Sequence, residues 1–168
     1  MEYSEFLAQA PGLLYAGYTP ATVARALHKD FGLDVLETAR VMQTKFLLTT
    51  EEILWALYSD GGLCLYGAQV AYILHSAQGL NLPLNEVAKA LYHTDLQDLD
   101  ISVEEVARYL SDSDWLNLPA NRVAWILYNA DGLGLSSLRV LEALDSWLGL
   151  NLSANDALEV LAHMEEAT

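Results

Sequence analysis

A single short motif recurs along the chain and constrains its fold more than any other feature. The motif has the form V-A-x-A-L, and its first residue returns every 15 to 19 residues, most often every 17. Its nine copies begin at Val23, Thr38, Ile53, Val70, Val87, Val106, Val123, Val140 and Ala157. Such a period is typical of repeat proteins, in which each unit buries its apolar face against neighbouring units.

Each copy of the motif carries the signals of a short helix. Its apolar residues fall at i, i+1 and i+4, which places them along one face of an α-helix. Residues that cap helix N-termini stand four positions before six of the motifs, at Thr19, Asp34, Thr49, Ser102, Ser136 and Ser153. An acidic residue follows four of these caps three positions later, as in a capping box or a close relative of it. The pattern predicts helices of about 11 residues joined by loops of roughly five.

A glycine followed by leucine stands after five of the motifs. These glycines are Gly32, Gly62, Gly79, Gly132 and Gly149. The order predicts Schellman stops, in which the glycine ends the helix in a left-handed conformation. Helices this short are marginal alone in water, so each must pack against its neighbours.

These signals together predict an all-α fold, an α-solenoid-like array of about nine short helices. The residue after the motif is Tyr58, Tyr92 and Tyr128 in the third, fifth and seventh copies and differs in the even copies. This alternation indicates that the 17-residue units pair as helical hairpins of about 34 residues. We expect a single helical-repeat domain over residues 1–168, with an N-terminal cap at 1–18, repeats at 19–153 and a C-terminal cap helix at 154–168.

Two segments carry a resemblance to known repeats. AGYTPATVARALHKDFGLD, residues 16–34, and LNLPLNEVAKALY, residues 80–92, resemble the tandem V-A-x-x-L helical repeats of large, mostly uncharacterised bacterial and phage-associated proteins. The resemblance extends over almost the whole chain, and three copies depart from it with Thr38, Leu141 and Ala157 at motif positions. It implies a helical-repeat fold. The motif is a structural one, so the resemblance assigns no activity to any residue.

The charge of the chain limits its partners. There are 8 Lys and Arg residues against 23 Asp and Glu residues, a formal net charge of −15 at pH 7. This charge opposes contact with phosphate backbones and anionic lipid surfaces, so we expect no direct nucleic-acid binding and no membrane binding. The sequence contains no apolar run of the roughly 20 residues that span a membrane and no basic region of a secretory signal at its start. We therefore expect a cytoplasmic protein, and the lone Cys64 agrees with a reducing compartment.

The residue types that most often carry chemistry lack the spacing of a catalytic or metal site. The four histidines, His28, His75, His93 and His163, lie in different copies, without the i, i+4 pairing that puts two zinc ligands on one helical face. The glycines are spaced as helix stops and not clustered as a phosphate-binding loop. We expect no enzyme activity, no metal and no cofactor. An enzyme with a pocket between helices is kept as an alternative.

One column of the motif offers a candidate binding surface. Its third position holds Arg25, Arg40, Trp55, Tyr72, Lys89, Arg108, Trp125, Glu142 and Glu159. The charged members indicate that the column faces solvent, in which case its aromatic members are exposed anchors for another protein. Alternatively, the aromatic rings fill gaps between helices and only their polar tips reach water.

From this column we predict a non-catalytic scaffold that binds a protein partner or assembles as a homo-oligomer. The predicted partner-binding set is Trp55, Tyr58, Tyr72, Trp125 and Tyr128. Residues 46–88 contain aromatic residues but no Lys or Arg. That stretch is the favoured place for a recognition surface or a subunit interface.

Acidic residues concentrate in a second candidate surface. The acidic face consists of Asp95, Asp98, Asp100, Glu104, Glu105, Asp112 and Asp114, with Arg108 as the only base among them. Such a strip can imitate a phosphate backbone and inhibit a basic nucleic-acid-binding protein. The favoured alternative is that excess acid keeps an apolar repeat protein soluble. The segment also lacks the alternating ligands and central glycine of an EF-hand loop.

Overall fold

The computed structural model of the protein describes residues 2–92 and 100–165, and every regular element in these ranges is a helix. The eleven α-helices of these ranges are α1 (Tyr3–Ala8), α2 (Ala10–Tyr15), α3 (Pro20–Arg25), α4 (Val35–Thr44), α5 (Thr50–Tyr58), α6 (Gly67–His75), α7 (Leu84–Tyr92), α8 (Val103–Ser111), α9 (Ala120–Tyr128), α10 (Ser137–Asp145) and α11 (Ala154–Glu165). A five-residue π-helical segment, Ala26–Asp30, continues α3. The predicted all-α fold is confirmed, since α3 with this extension and α4 to α11 each carry one copy of the motif.

The chain divides into two compact units, Met1–Leu82 and Pro83–Thr168. In the first unit, α3 packs against α4 and α5, α4 packs against α5 and α6, and α5 packs against α6. In the second unit, α7 to α11 repeat this arrangement. Within each unit the helices therefore form two layers, one of odd and one of even members. The prediction of a single domain over residues 1–168 stays a prediction.

The first residue of the motif lies at the centre of the packing. It is 0% exposed in every copy, from Val23 to Ala157. The last residue of the motif, usually leucine, is also 0% exposed in eight copies and 8% exposed at Leu161. Burying one such side chain stabilises the fold by about 1.5–3 kcal/mol. The motif is therefore the core of both units.

The predicted helix starts are confirmed. At all six predicted positions the capping side chain accepts a hydrogen bond from the backbone N–H three residues later. Complete capping boxes form at Thr49 with Glu52 and at Ser102 with Glu105. A third box joins Thr19 to Thr22. The sequence did not indicate it, because the return bond from Thr19 N–H is accepted by the hydroxyl oxygen of Thr22 and not by a carboxylate.

One backbone hydrogen bond recurs in the seven linkers between motif copies that lie wholly within the described residues. A leucine precedes the N-cap, and its N–H donates to the carbonyl of the last motif residue before it. In the first copy Leu33 N–H donates to Leu27 O, six residues back, at 3.1 Å. In the third copy Leu65 N–H donates to Leu57 O, eight residues back, at 2.9 Å. The same bond thus closes loops of two lengths, which is why the period varies while the helix starts stay in register.

The predicted glycine stop is right in one of five places. Gly32 has a φ of 75° and ends the first motif in the left-handed conformation. The prediction is wrong for the other four glycines, whose φ is not positive. In their linkers the left-handed residue lies two positions later, at Cys64, Asn81, Gly134 and Asn151.

Gly62 illustrates the structural role of the four glycines whose φ is not positive. The chain leaves α5 through an extended residue, Ser59, whose carbonyl accepts from Gly62 N–H at 3.0 Å and from Cys64 N–H at 3.2 Å. This folds the linker back onto the helix it has just left. A Cβ on Gly62 would lie 1.8 Å from the carbonyl oxygen of Ala56. Glycine is therefore required by close backbone approach and not by φ.

The N-terminal segment is held to the first unit by aromatic packing. Phe6 of α1 is 2% exposed and packs its ring 4.9 Å from that of Phe31 and 5.5 Å from that of Phe46. Phe6, which belongs to the predicted N-terminal cap, thus packs against aromatic residues that follow the first two motifs.

None of the helices in residues 2–92 and 100–165 has the length and apolar character needed to cross a membrane.

Candidate functional site

The variable column of the motif is exposed at its two ends and half-buried in the middle. Its first two and last two members are exposed charged side chains, while the five from Trp55 to Trp125 are half-buried. The aromatic members Trp55, Tyr72 and Trp125 are therefore neither fully exposed nor fully buried.

Two members of the predicted partner-binding set lie together beside a groove. Trp125 and Tyr128 belong to α9 and line a groove of about 410 Å³ with residues of the following linker. On the other side of Trp125, a second groove of about 560 Å³ runs between α9 and α11. Its lining is Pro119, Asn121, Arg122, Trp125, His163 and Met164. We call this second space the Trp125 groove.

The register of α9 explains which side chains reach the Trp125 groove. Asn121, Arg122 and Trp125 stand at i, i+1 and i+4, so they share one side of the helix. The motif residues Val123 and Ala124 point the other way and are 0% exposed. From α11 the groove receives Met164, which is 5% exposed, and His163, which is exposed. The result is an apolar floor with polar side chains at its edge.

Arg122 gives this edge a positive charge that no acidic side chain of the described residues compensates. Of the four Lys and Arg residues in the second unit, Lys89, Arg108 and Arg139 each lie within ion-pair distance of a glutamate. In the part of the chain that the structure describes, Arg122 has no acidic partner. It is exposed, and so is free to pair with a carboxylate from outside.

His163 is oriented by its own helix. Its ring nitrogen Nδ1 lies 2.7 Å from the carbonyl oxygen of Glu159. In a neutral ring this contact puts the proton on Nδ1, because a carbonyl oxygen can only accept. Nε2 then remains available for a hydrogen bond with a bound molecule.

The other predicted partner-binding residues lie in the first unit. Trp55 and Tyr58 belong to α5, and Tyr72 belongs to α6, which packs against α5. All three are half-buried. None of them lines either groove beside Trp125. The grooves therefore lie outside residues 46–88, where the sequence favoured a recognition surface.

Sequence reasoning missed the most exposed aromatic side chains. Tyr15 is 95% exposed and Trp147 is 78% exposed. Trp147 occupies a linker position that is exposed in the other 17-residue linkers, where it holds Asp60, Ala77, Ser113 and Ala130. The sequence did carry a signal for Trp147, because the other copies have small or polar residues at this linker position, which are typical of an exposed site.

Several carboxylates of the acidic face are already paired with other residues of the protein. Asp95 and Asp98 lie outside the described residues, while Asp100 and Asp114 are exposed. Glu104 forms a bidentate ion pair with Arg139, whose hydrogen bonds hold the pKa of that carboxyl below its usual range.

Two more members of the acidic face have local structural roles. Glu105 completes the capping box of α8 and lies 3.9 Å from Arg108. Asp112 accepts a hydrogen bond from Asp114 N–H at 3.1 Å. Mimicry of a nucleic acid stays a prediction, with fewer free carboxylates than the sequence suggests.

The described histidines bond to backbone carbonyls. His28 Nδ1 lies 2.7 Å from Leu33 O, and His75 Nδ1 lies 2.8 Å from Leu82 O. Each ring thereby fastens the linker that follows its helix. His93 lies outside the described residues. Within the described residues, no group of three or more His, Cys, Asp or Glu side chains is arranged to hold a metal ion.

Cys64 is exposed and lies beside one acidic side chain. Its Sγ is 3.3 Å from Asp60 Oδ1. The hydrogen bond to this carboxylate, together with its negative charge, raises the pKa of the thiol. The thiolate is the reactive form of cysteine, so the contact makes Cys64 a weaker nucleophile at neutral pH.

The first unit has a groove of its own, of about 680 Å³, beside the π-helical segment. Aromatic rings of Phe6, Tyr18 and Phe31 line it together with the charged Arg25, Lys29 and Asp30. The three charged side chains are exposed and make it a wide, polar depression. The Trp125 groove is the more selective candidate because its floor is apolar and its edge carries one unpaired charge.

Comparisons of the chain with protein-family models, with curated proteins and with solved structures gave no match.

Proposed function

We propose that this protein is a non-catalytic helical-repeat scaffold that binds a segment of another protein in the Trp125 groove. The tandem V-A-x-A-L repeats, which resemble the V-A-x-x-L repeats of large bacterial and phage-associated proteins, supply the frame. The groove supplies the recognition surface. A repeat array suits this role because its helices hold surface side chains at fixed spacing.

The observation that carries the proposal is the combination of side chains in the groove. Trp125 and Met164 offer an apolar surface, and Trp is the residue type most often found as an energetic anchor of interfaces. Arg122 stands beside them without an acidic partner among the described residues. An apolar surface with one free guanidinium at its edge is suited to a segment with an apolar side chain next to a carboxylate.

A peptide-display selection against the purified chain tests this function. We expect the enriched peptides to carry a large apolar residue adjacent to Asp or Glu. Their affinity, measured by fluorescence anisotropy with labelled synthetic copies, should fall about tenfold or more in Trp125→Ala. In Arg122→Gln the loss should be confined to peptides that contain the acid.

Trp147→Ala is the matched control, because it removes an exposed tryptophan that does not line the groove. It should leave the affinity of the selected peptides unchanged. Peptides that bind wild type and Trp125→Ala equally well would overturn the proposal. Light scattering on the chain alone covers self-assembly, since a discrete oligomer lost in Trp125→Ala would replace the peptide as the occupant.

A further inference from the structure

The second residue of the motif becomes progressively uncovered along the second unit. Ala88 in α7, Ala107 in α8 and Ala124 in α9 are 0% exposed, and each of these helices is followed by at least two described helices. In α10, which is followed by one, Leu141 is half-buried. In α11 Leu158 is 53% exposed. The second motif residue is therefore buried in α7 to α9 and largely uncovered in α11.

The exposed side of α11 has the pattern of a helix-packing face. Ala154, Leu158 and Ala162 stand at i, i+4 and i+8, and all three are exposed. Residues at this spacing lie along one line of the helix surface. Small residues on both sides of a leucine allow another helix to approach closely.

α10 contributes a second uncovered leucine. Leu138, 66% exposed, stands two residues before its motif. In α8 the same position holds Glu104, which is bonded by Arg139 of α10. In α8 this position therefore contacts a helix two places later in the chain, whereas in α10 it is exposed. We call Leu138, Leu141, Ala154, Leu158 and Ala162 the open face.

The open face is bordered by acids, two of which, Asp145 and Glu159, have no basic partner among the described residues. Glu142 and Asp145 follow Leu138 by four and seven residues, so they lie on its side of α10, and Glu159 is next to Leu158. All three carboxylates are exposed. Residues 140–168 contain six Asp and Glu and no Lys or Arg. Arg139, the nearest base in sequence, is already held by Glu104 and Glu142.

We propose that the open face binds a basic amphipathic helix of another protein, with leucine-sized side chains on one side and Lys or Arg along both edges. The occupant is a helix because helices cover the equivalent positions in the rest of this unit. It is basic because its flanks meet Asp145 and Glu159, while Glu142 is already paired with Arg139. A second copy of the same face would bring these acids against themselves, and like charges at an interface oppose association.

Binding of synthetic peptides to the intact chain tests this proposal. The probe is a fluorescein-labelled peptide with leucine at i, i+3, i+4 and i+7 and lysine on both flanks. We expect saturable binding that weakens as salt is raised. The variant Leu138→Ser/Leu158→Ser should weaken it about tenfold or more, since two exposed leucines lose their apolar contact. Asp145→Asn/Glu159→Gln should weaken it and reduce its salt dependence.

Three controls separate this face from general attraction between a cation and an acidic protein. A peptide of the same composition, shuffled so that it has no apolar side, should bind more weakly by a factor of about ten or more. Leu47→Ser removes a leucine of the first unit that is 76% exposed, more than Leu138 or Leu158, and should not change the affinity. Trp125→Ala should also leave it unchanged, because the open face does not use the Trp125 groove. Circular dichroism verifies that each variant keeps its helices.

The proposal is overturned if the shuffled peptide binds as well as the amphipathic one, or if Leu138→Ser/Leu158→Ser binds like wild type. A dimer in light scattering that Leu158→Ser dissolves would also overturn it, because a second copy would then be the occupant.

Discussion

Arg139 of α10 holds Glu104 of α8 through two nearly parallel hydrogen bonds, although 35 positions separate them in sequence. The Nη1–Oε1 distance is 2.6 Å and the Nη2–Oε2 distance is 3.1 Å. The Glu104 side chain retains 15% of its exposure and that of Arg139 retains 38%. This partly buried pair joins two helices of one layer.

Breaking this pair should lower stability in a pH-dependent way. Because Arg139 holds the pKa of Glu104 below the usual glutamate value, the pair stabilises the fold fully above that value. Its contribution is lost as pH falls through the lower folded-state pKa. We expect Glu104→Gln to reduce the free energy of unfolding by about 1–2 kcal/mol at pH 7. Thermal unfolding of both proteins from pH 7 to pH 3 should show the difference shrinking with acid.

Glu86→Gln is the control for that prediction. It removes the exposed i,i+3 pair between Glu86 and Lys89, 3.2 Å apart. Such surface pairs contribute about 0.5 kcal/mol or less. A Glu86→Gln effect as large as that of Glu104→Gln would contradict the special role of the bidentate pair.

Substitution by alanine should change the free energy of unfolding very differently at two adjacent glycines, Gly61 and Gly62. Gly62→Ala places a Cβ 1.8 Å from the carbonyl oxygen of Ala56, a backbone atom that cannot turn aside. We expect a loss of about 3 kcal/mol or more, measured by urea unfolding. Gly61→Ala meets no atom within 4 Å and should change stability by about 0.5 kcal/mol or less. Equal effects at both positions would refute the linker geometry described above.

The left-handed linker position should respond in opposite directions in two copies. Cys64 has a φ of 54° there and Gly134 a φ of 63°. Non-glycine residues are strained in this conformation by about 1–2 kcal/mol. Cys64→Gly should therefore raise the melting temperature, and Gly134→Ala, whose new Cβ would meet Ala130 only at 3.8 Å, should lower it. A melting temperature that falls in Cys64→Gly would contradict this assignment.

Thr38 should be improved by losing its hydroxyl. It occupies the first motif position, is 0% exposed and leaves its Oγ1 without a hydrogen-bond partner. Six of the other copies have valine at this position. Thr38→Val keeps the shape and removes the unsatisfied oxygen, so stability should rise by about 1 kcal/mol in chemical denaturation. Thr38→Ser keeps the hydroxyl, loses a methyl group, and should be less stable than wild type.

The candidate sites were predictable in part. The third motif position pointed to Trp125, and the residue after the motif pointed to Tyr128. The helix that completes the Trp125 groove could not be read from the sequence, because His163 and Met164 lie 38 and 39 residues from Trp125 along the chain. The sequence also could not show that Arg139 pairs with Glu104, or that Arg122 has no acidic partner among the described residues.

The sequence by itself determined the helices, their N-terminal caps and the residues of the core. These depend on local chemistry, since a capping oxygen lies within three residues of the N–H it serves and the buried face repeats within each motif. Tertiary structure alone decided the linker geometry at Gly62, the partner of Glu104 and the uncovered side of Leu158. Each of these depends on which backbone or side chain approaches from elsewhere in the chain, and a periodic pattern does not record that approach.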